Sequence, residues 1–275
     1  MPSPRVIITA DDFGLHPRVN EAVEQAHRYG TLTAASLMVT GPAALDAVRR
    51  ARRLPDLRVG LHLVLADGHP QLPPEEIPAL VNQQGRFGSS MVYDGLRFAL
   101  SPRTRAQLAR EIDAQFAAFA ATGLALDHVN AHKHFHLHPT VLSLILRAGL
   151  DHGLRAVRLP YEPGGLNWLR PWTALMRTRL SRAGIHCNDQ VRGIALSGRF
   201  DEAALTAVLA RLPPGLTEIY LHPATAGPEP LTPTMREYRH ADELSALLSP
   251  RVRAALAVTG ARTGGFTDLC FERTP

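Results

Sequence analysis

The chain has 275 residues, 45% of them apolar, with 30 Lys or Arg set against 25 Asp or Glu; that suits one sizeable α/β domain. The basic excess is spread over many arginines, Lys133 is the one lysine, and no nucleic-acid motif accompanies them, so no nucleic-acid partner is expected. No apolar run of about 18 residues suggests a membrane span, and Cys187 and Cys270 are too few for a disulfide framework or a thiolate zinc site.

The start, "MPSPRVIITADDFG", has no apolar signal-peptide core and runs straight into a strand, which reads as cytoplasmic. "RVIITA" (5–10) is that strand, and "HPRVNEAVEQAHRYG" follows as a helix. Val19, Ala22, Val23, Ala26 and Tyr29 share one face of it, and Gly30 suits its C-terminal cap. "AASLMVT" (34–40) precedes the helix "PAALDAVRRARRL", and "LRVGLHLVL" (57–65) is the third strand. Residues 66–101 are rich in Pro, Gly and polar side chains and interrupt the alternation. They read as a long insertion loop in a single domain spanning 1–275, forming part of a substrate wall or a lid.

The alternation then resumes with the helix 103–123, "LALDHVNAH" (124–132), a helix over 139–153 and a strand over 154–160. "VRGIALSG" (191–198), the helix "DEAALTAVLARL", "LTEIYLHP" (216–223), two helical segments and a weak last strand "GGFTDL" (264–269) complete it. Seven or eight apolar strands alternating with helices predict either a doubly wound sheet or a (β/α) barrel. No glycine-rich phosphate loop follows the first strand, which favours a (β/α) barrel-like fold, a distorted TIM barrel.

In such an array the C-terminal strand ends converge, and that is where barrels build active sites. The first strand ends in Asp11 and Asp12, the third carries His62, the fourth ends at His132, and "IYLHPA" supplies His222. Two adjacent carboxylates repel unless a positive charge lies close. A carboxylate with two imidazoles is a ligand set for one divalent metal ion with positions left for water and substrate. One aspartate would bind the metal and its neighbour would face the water. On a strand, "HKHFHLHP" would put His132, His134, His136 and His138 on one face. Arg158 and Glu162 in "VRLPYEPGG" are candidates for substrate hydroxyls or for supporting the site, with a surface ion pair as the bland alternative.

"TADDFG", "GLHLVL", "AHKHFH" and "YLHP" together resemble the YdjC-like carbohydrate deacetylases, in order from Ile8 to about His222. "GTLTAASLMV" and "RVGLHLVLADGHP" further resemble the branch associated with hopanoid biosynthesis. The resemblance implies a barrel-like fold and removal of an N-acetyl group from an amino sugar, here an N-acetylglucosaminyl hopanoid. It implies Asp12, His62 and His132 as ligands of Zn2+ or Mg2+, Asp11 as general base and His222 as general acid. Asn130 stands where many relatives are expected to carry Asp, in a position to orient the His132 ring.

Trp168, Trp172, Leu175, Met176 and Leu180 lie near one face of "LNWLRPWTALMRTRLSRAG" (166–184), with arginines around them. Core packing explains such a stripe, and peripheral contact with a membrane carrying a glycolipid substrate is the functional alternative. Two rival functions are a glycoside hydrolase using the adjacent aspartates and a non-catalytic metal or glycolipid carrier. The first fails on geometry if adjacent strand residues point to opposite faces.

Overall fold

The computed structural model describes residues 3–165 and 169–271. Its organising element is β1 (Pro4–Phe13), buried from Val6 onward. β1 pairs in parallel with β2 (Ala34–Leu37) on one side and β6 (Gly215–Leu221) on the other. The sheet continues to β3 (Arg58–Leu63) and β4 (Val129–Ala131) at one end and β5 (Gln190–Arg192) at the other, in the order β4-β3-β2-β1-β6-β5. A two-residue β7 (Arg262–Thr263) pairs with the first residues of β1.

Two isolated parallel bridges, Val129 to Val157 and Ala156 to His186, carry the pairing on from β4. The chain from His186 then enters β5 and meets β6, so the pairings run around a distorted ring. The expected barrel-like fold is therefore the observed one. The expected strand over 154–160 shrinks to these bridges, since both backbone groups of Leu159 go to the Asn188 side chain rather than to a neighbouring strand.

Helices α1 (Pro17–Tyr29) and α2 (Ala44–Ala51) follow β1 and β2. After β3 come α3 (Met91–Leu100) and α4 (Pro102–Ala121), and after β4 comes α5 (Pro139–Asp151). α6 (Arg170–Arg182), α7 (Glu202–Leu209), α8 (His240–Leu248), α9 (Pro250–Val258) and α10 (Phe266–Cys270) complete the set. The main core lies between sheet and helices, with Val6, Ile8 and Ala10 of β1 packed against Val19, Ala22 and Val23 of α1. Tyr29 does not join its expected face and is 66% exposed. Gly30 is not in a left-handed conformation; a Cβ there would lie 2.4 Å from the Leu247 carbonyl oxygen, so close approach to α8 demands glycine.

The inside of the ring has its own small apolar cluster: Ile7, Ala34, Ala156 and Leu216, capped by Phe266 and Leu269 of α10. The stretch expected as a last strand is thus largely a helix that seals the N-terminal mouth of the ring. Phe and Leu separated by three positions match a helical face as well as a short apolar strand, and the floor cavity selects the helix. Residues 66–101 are also more ordered than an insertion loop: an antiparallel bridge joins Val81 to Phe87, and α3 occupies 91–100. Met176 and Leu180 of α6 are fully buried, and Trp172 donates from Nε1 to the Leu137 carbonyl at 2.7 Å. Trp168 lies outside the described residues.

Candidate active site

β1 solves the problem of two adjacent carboxylates by breaking its own ladder. The β1–β2 register shifts between Ala10 and Phe13, and Asp12 has φ of 63°. This left-handed conformation is one that Asp tolerates better than most residues, and it cancels the strand alternation. Both carboxylates therefore serve the same end of the ring, and the premise that they must point to opposite faces does not hold here. Asp11 lines the cleft, while Asp12 Oδ1 lies 3.2 Å from His62 Nε2 and 3.1 Å from His132 Nδ1. Burial alone would push the Asp12 carboxyl up, but His132 and His62 hold it well below the usual carboxylate range.

Asp12, His62 and His132 each offer a ligand atom, and these atoms all lie within 4.8 Å of one another. Asp12 Oδ2 and His62 Nε2 are buried and have no hydrogen-bond partner. Unsatisfied buried polar atoms are costly, and a carboxylate and two imidazoles gathered this closely, with two of their atoms unpartnered, fit a divalent cation. The group has the donor types of a catalytic zinc site. His62 Nδ1 faces Asn130 Oδ1 at 2.6 Å. Asn130 thus orients His62 rather than the expected His132, whose Nδ1 faces Asp12.

Asp11 has a different environment. Arg158 grips it from two nitrogens, at 2.5 and 2.9 Å, and Asn130 Nδ2 donates to Oδ1 at 3.2 Å. Burial would raise the Asp11 carboxyl, yet Arg158 overrides it and keeps the group ionised far below the ordinary range. Arg158 is itself fully buried, bonds Glu218 at 2.8 and 2.9 Å, and lies 4.6 Å from the centroid of the Tyr220 ring. It is neither a surface ion pair nor free for a substrate hydroxyl; it supports Asp11. Glu162 does something else again, accepting from the backbone N–H groups of Gly193 and Ala195 at 3.0 and 2.8 Å and so pinning the loop after β5.

The cleft above these residues has a volume of ≈ 210 Å³. Its floor is Asp11, His62 and His132, and its walls include His134, Ser197, Tyr220, His222, Met235 and Tyr238. No residue of 66–101 lines it; the lining comes from the strand ends and from the loops after β4, β5 and β6. Asp67 reaches the rim only by pairing with Lys133. β4 ends at Ala131, and Lys133 and His134 are both left-handed, with φ of 54° and 56°. The alternating histidines consequently do not share a face. His134 Nε2 sits 2.9 Å from the Tyr220 hydroxyl, His136 is fully buried with Nε2 3.0 Å from the Arg158 carbonyl, and His138 packs on Phe98 and Phe135.

His222 stands on β6's C-terminal edge with Nδ1 buried and unpartnered. Its backbone N–H donates to Glu243, its carbonyl accepts from His240 Nδ1 at 2.6 Å, and the Tyr238 ring meets it edge-on at 5.2 Å. Burial lowers its pKa, against the opposing pull of Asp12 and Asp11. Sequence reading missed Tyr220 on β6, whose ring lies 5.8 Å from that of His222 just past the strand end. Tyr238, Ser197 and Met235 carried no signal, because they reach the cleft from loops.

The family described as YdjC-like protein matches residues 5–258. A carbohydrate deacetylase of Mus musculus is 31% identical over 99% of this chain and 97% of its own length. A carbohydrate deacetylase of Brevibacillus brevis is 37% identical over 57% of this chain, a match that spans 60% of that relative. A crystal structure from Enterococcus faecalis V583, provisionally named a cellobiose-phosphate cleavage protein, superposes with a TM-score of 0.78 at 23% identity. It covers 98% of this chain and 99% of that one, which establishes the shared fold. The chain belongs to the YdjC-like family.

Proposed function

We propose that this protein is a metal-dependent hydrolase that removes the acetyl group from an N-acetylglucosamine unit, with an N-acetylglucosaminyl hopanoid as substrate. The observation that carries the reaction is the division of labour between two neighbouring carboxylates. Asp12 sets one oxygen against two imidazoles and keeps the other without a partner, whereas Asp11 is held ionised in the cleft by Arg158. A carrier would need the first carboxylate only. A glycoside hydrolase would need two carboxylates flanking a bond with roughly 5 Å or more between them, and here one of the two is taken up by histidines.

Asp12, His62 and His132 would hold the cation. When bound, it supplies Lewis-acid charge to an attacking water and to the acetyl oxygen. Two imidazoles to one carboxylate favour Zn2+ over Mg2+, which prefers oxygen ligands. Asp11 accepts the proton of the attacking water. Arg158 keeps that carboxylate aimed and charged, and also makes it a weak base, so the proton is passed on rather than retained. His222 is neutral at rest because burial disfavours its charged form. As general acid it therefore gains its proton during the reaction and delivers it to the departing sugar nitrogen. A cavity of ≈ 210 Å³ is smaller than the roughly 300–1,000 Å³ of sites that enclose a drug-sized ligand. It admits one end of a larger substrate and leaves the remainder, lipid or sugar, outside.

The hopanoid assignment is supported by the stretches "GTLTAASLMV" and "RVGLHLVLADGHP"; the second reading is a soluble chitooligosaccharide. Membrane contact through 166–184 belongs to the first reading, with Leu175 as its half-exposed apolar residue. Among the described residues no helix is long and apolar enough to cross a membrane. The test is acetate release from an N-acetylglucosaminyl hopanoid and from diacetylchitobiose by the zinc-loaded protein. Acetate from the hopanoid alone supports the proposal, chitobiose turnover at equal or greater kcat/KM supports the second reading, and acetate from neither overturns both.

A further inference from the structure

The hydrogen bonds behind His62 form a chain with one consistent direction, and it begins at a carboxylate near the barrel floor. Asp127 is buried and accepts from the backbone N–H groups of Phe266 and Thr267, at 3.0 and 2.9 Å, and from the Thr267 hydroxyl. It therefore caps α10. Its Oδ2 also lies 2.9 Å from His128 Nδ1. An ionised carboxylate only accepts, so His128 Nδ1 carries the hydrogen.

His128 Nε2 is 3.0 Å from Ser36 Oγ, and Asn130 Nδ2 donates to the same oxygen at 2.9 Å. Ser36 is fully buried. Its one hydrogen finds an acceptor when it points at His128 Nε2, which leaves its oxygen to receive Asn130. The Asn130 amide is fixed from its other side as well. Turned over, its oxygen would stand 3.2 Å from Asp11 Oδ1, acceptor against acceptor. Asn130 Oδ1 consequently faces His62 Nδ1, which must donate, and His62 Nε2 is left as the ring nitrogen aimed at Asp12, 3.2 Å from its Oδ1, where a cation would stand between them. The strands make room for this line of side chains: a Cβ at Gly60 would lie 2.5 Å from the His128 ring. An Asp at position 130 could donate to neither Ser36 nor Asp11, which explains why asparagine serves here.

We propose that Asp127, His128 and Ser36 are positioning residues that fix the hydrogen on His62 Nδ1 through Asn130 and so aim Nε2 at a divalent cation. This rests on the metal-centre reading above, but not on the reaction. Outer partners of metal-ligating histidines typically account for 10–100-fold in metal affinity.

The experiment compares metal-free wild type, Ser36→Ala and Thr9→Val. Thr9 is an equally buried hydroxyl that donates to Glu218, off this chain. Nitrogen-15 NMR of the imidazoles reads the His62 tautomer, and calorimetric titration with Zn2+ alone reads affinity. The expected result is a His62 Nδ1 that carries its hydrogen throughout in wild type and Thr9→Val but only in part in Ser36→Ala, and a Zn2+ Kd raised about tenfold or more in Ser36→Ala only. An unchanged Nδ1 signal in Ser36→Ala with Kd within about twofold of wild type would overturn the proposal, as would an equal rise in Thr9→Val. Failure of the deacetylase reading would show separately, as no acetate from zinc-loaded wild type, and leaves both readouts interpretable.

Discussion

The two ends of the ring interior are built on opposite principles. At the floor, Ile7, Ala34, Ala156 and Leu216 are closed off by Phe266 and Leu269, and the cluster is apolar throughout. At the mouth, Asp12 Oδ2, His62 Nε2, His134 Nδ1 and His222 Nδ1 are buried polar atoms without partners. Between them lies a polar layer in which Arg158, Asp11, Glu218, Thr9, Asn130 and Ser36 bond one another. Burial is similar in all three layers, so burial does not mark function. Polar satisfaction separates them better: the floor cluster holds no polar side chain, whereas His62, His134 and His222 bring unpaired atoms to the cleft, and other unpaired atoms such as Thr206 Oγ1 and His240 Nε2 do not line it.

Breaking the polar layer should have the largest effect. Arg158→Met leaves Asp11 and Glu218 buried without their cation, and removing one partner of such a group costs about 3–5 kcal/mol. Urea unfolding should show that loss together with a fall in turnover; a stability change below about 1 kcal/mol would mean the Arg158 contacts are dispensable. Leu269→Ala at the floor should cost about 2–5 kcal/mol through transfer and cavity terms while leaving Zn2+ affinity within about twofold. A large drop in Zn2+ affinity would erase the distinction between floor and mouth.

The smallest effect concerns pH. Burial, and then the charge on Arg158, push the His136 imidazole down to about 3 from an ordinary 6.5. Between those values the unfolded chain binds more protons than the native one, so stability is present above about 6.5 and is lost as pH falls. His136→Gln removes this proton uptake, and its stability should fall less steeply than wild type between pH 6.5 and 4. Parallel slopes in urea titrations across that range would contradict the assignment.

The strands were legible in outline because parallel, doubly covered strands are continuous apolar runs: "RVIITA" and "LTEIYL" fall inside β1 and β6. What escaped sequence reading has specific causes. The left-handed turn at Lys133 and His134 overrode a period-two pattern of histidines, and the bulge at Asp12 overrode strand alternation. "GGFTDL" became a helix because the floor needed Phe266 and Leu269 on one face. Of the site, strand-end residues such as Asp11, His62 and His222 were readable from position. Arg158's partner was not, since an arginine after a strand looks the same whether it faces water or a buried aspartate.

The most direct test of the account is to compare Asp12→Ala and Asp11→Asn for Zn2+ binding and acetate release together. The account predicts that Asp12→Ala loses both. It predicts that Asp11→Asn keeps Zn2+ affinity within a few-fold while acetate release falls by about 10²–10⁴. Equal loss of Zn2+ in the two variants, or full acetate release by Asp11→Asn, would contradict the division of labour between these neighbouring carboxylates.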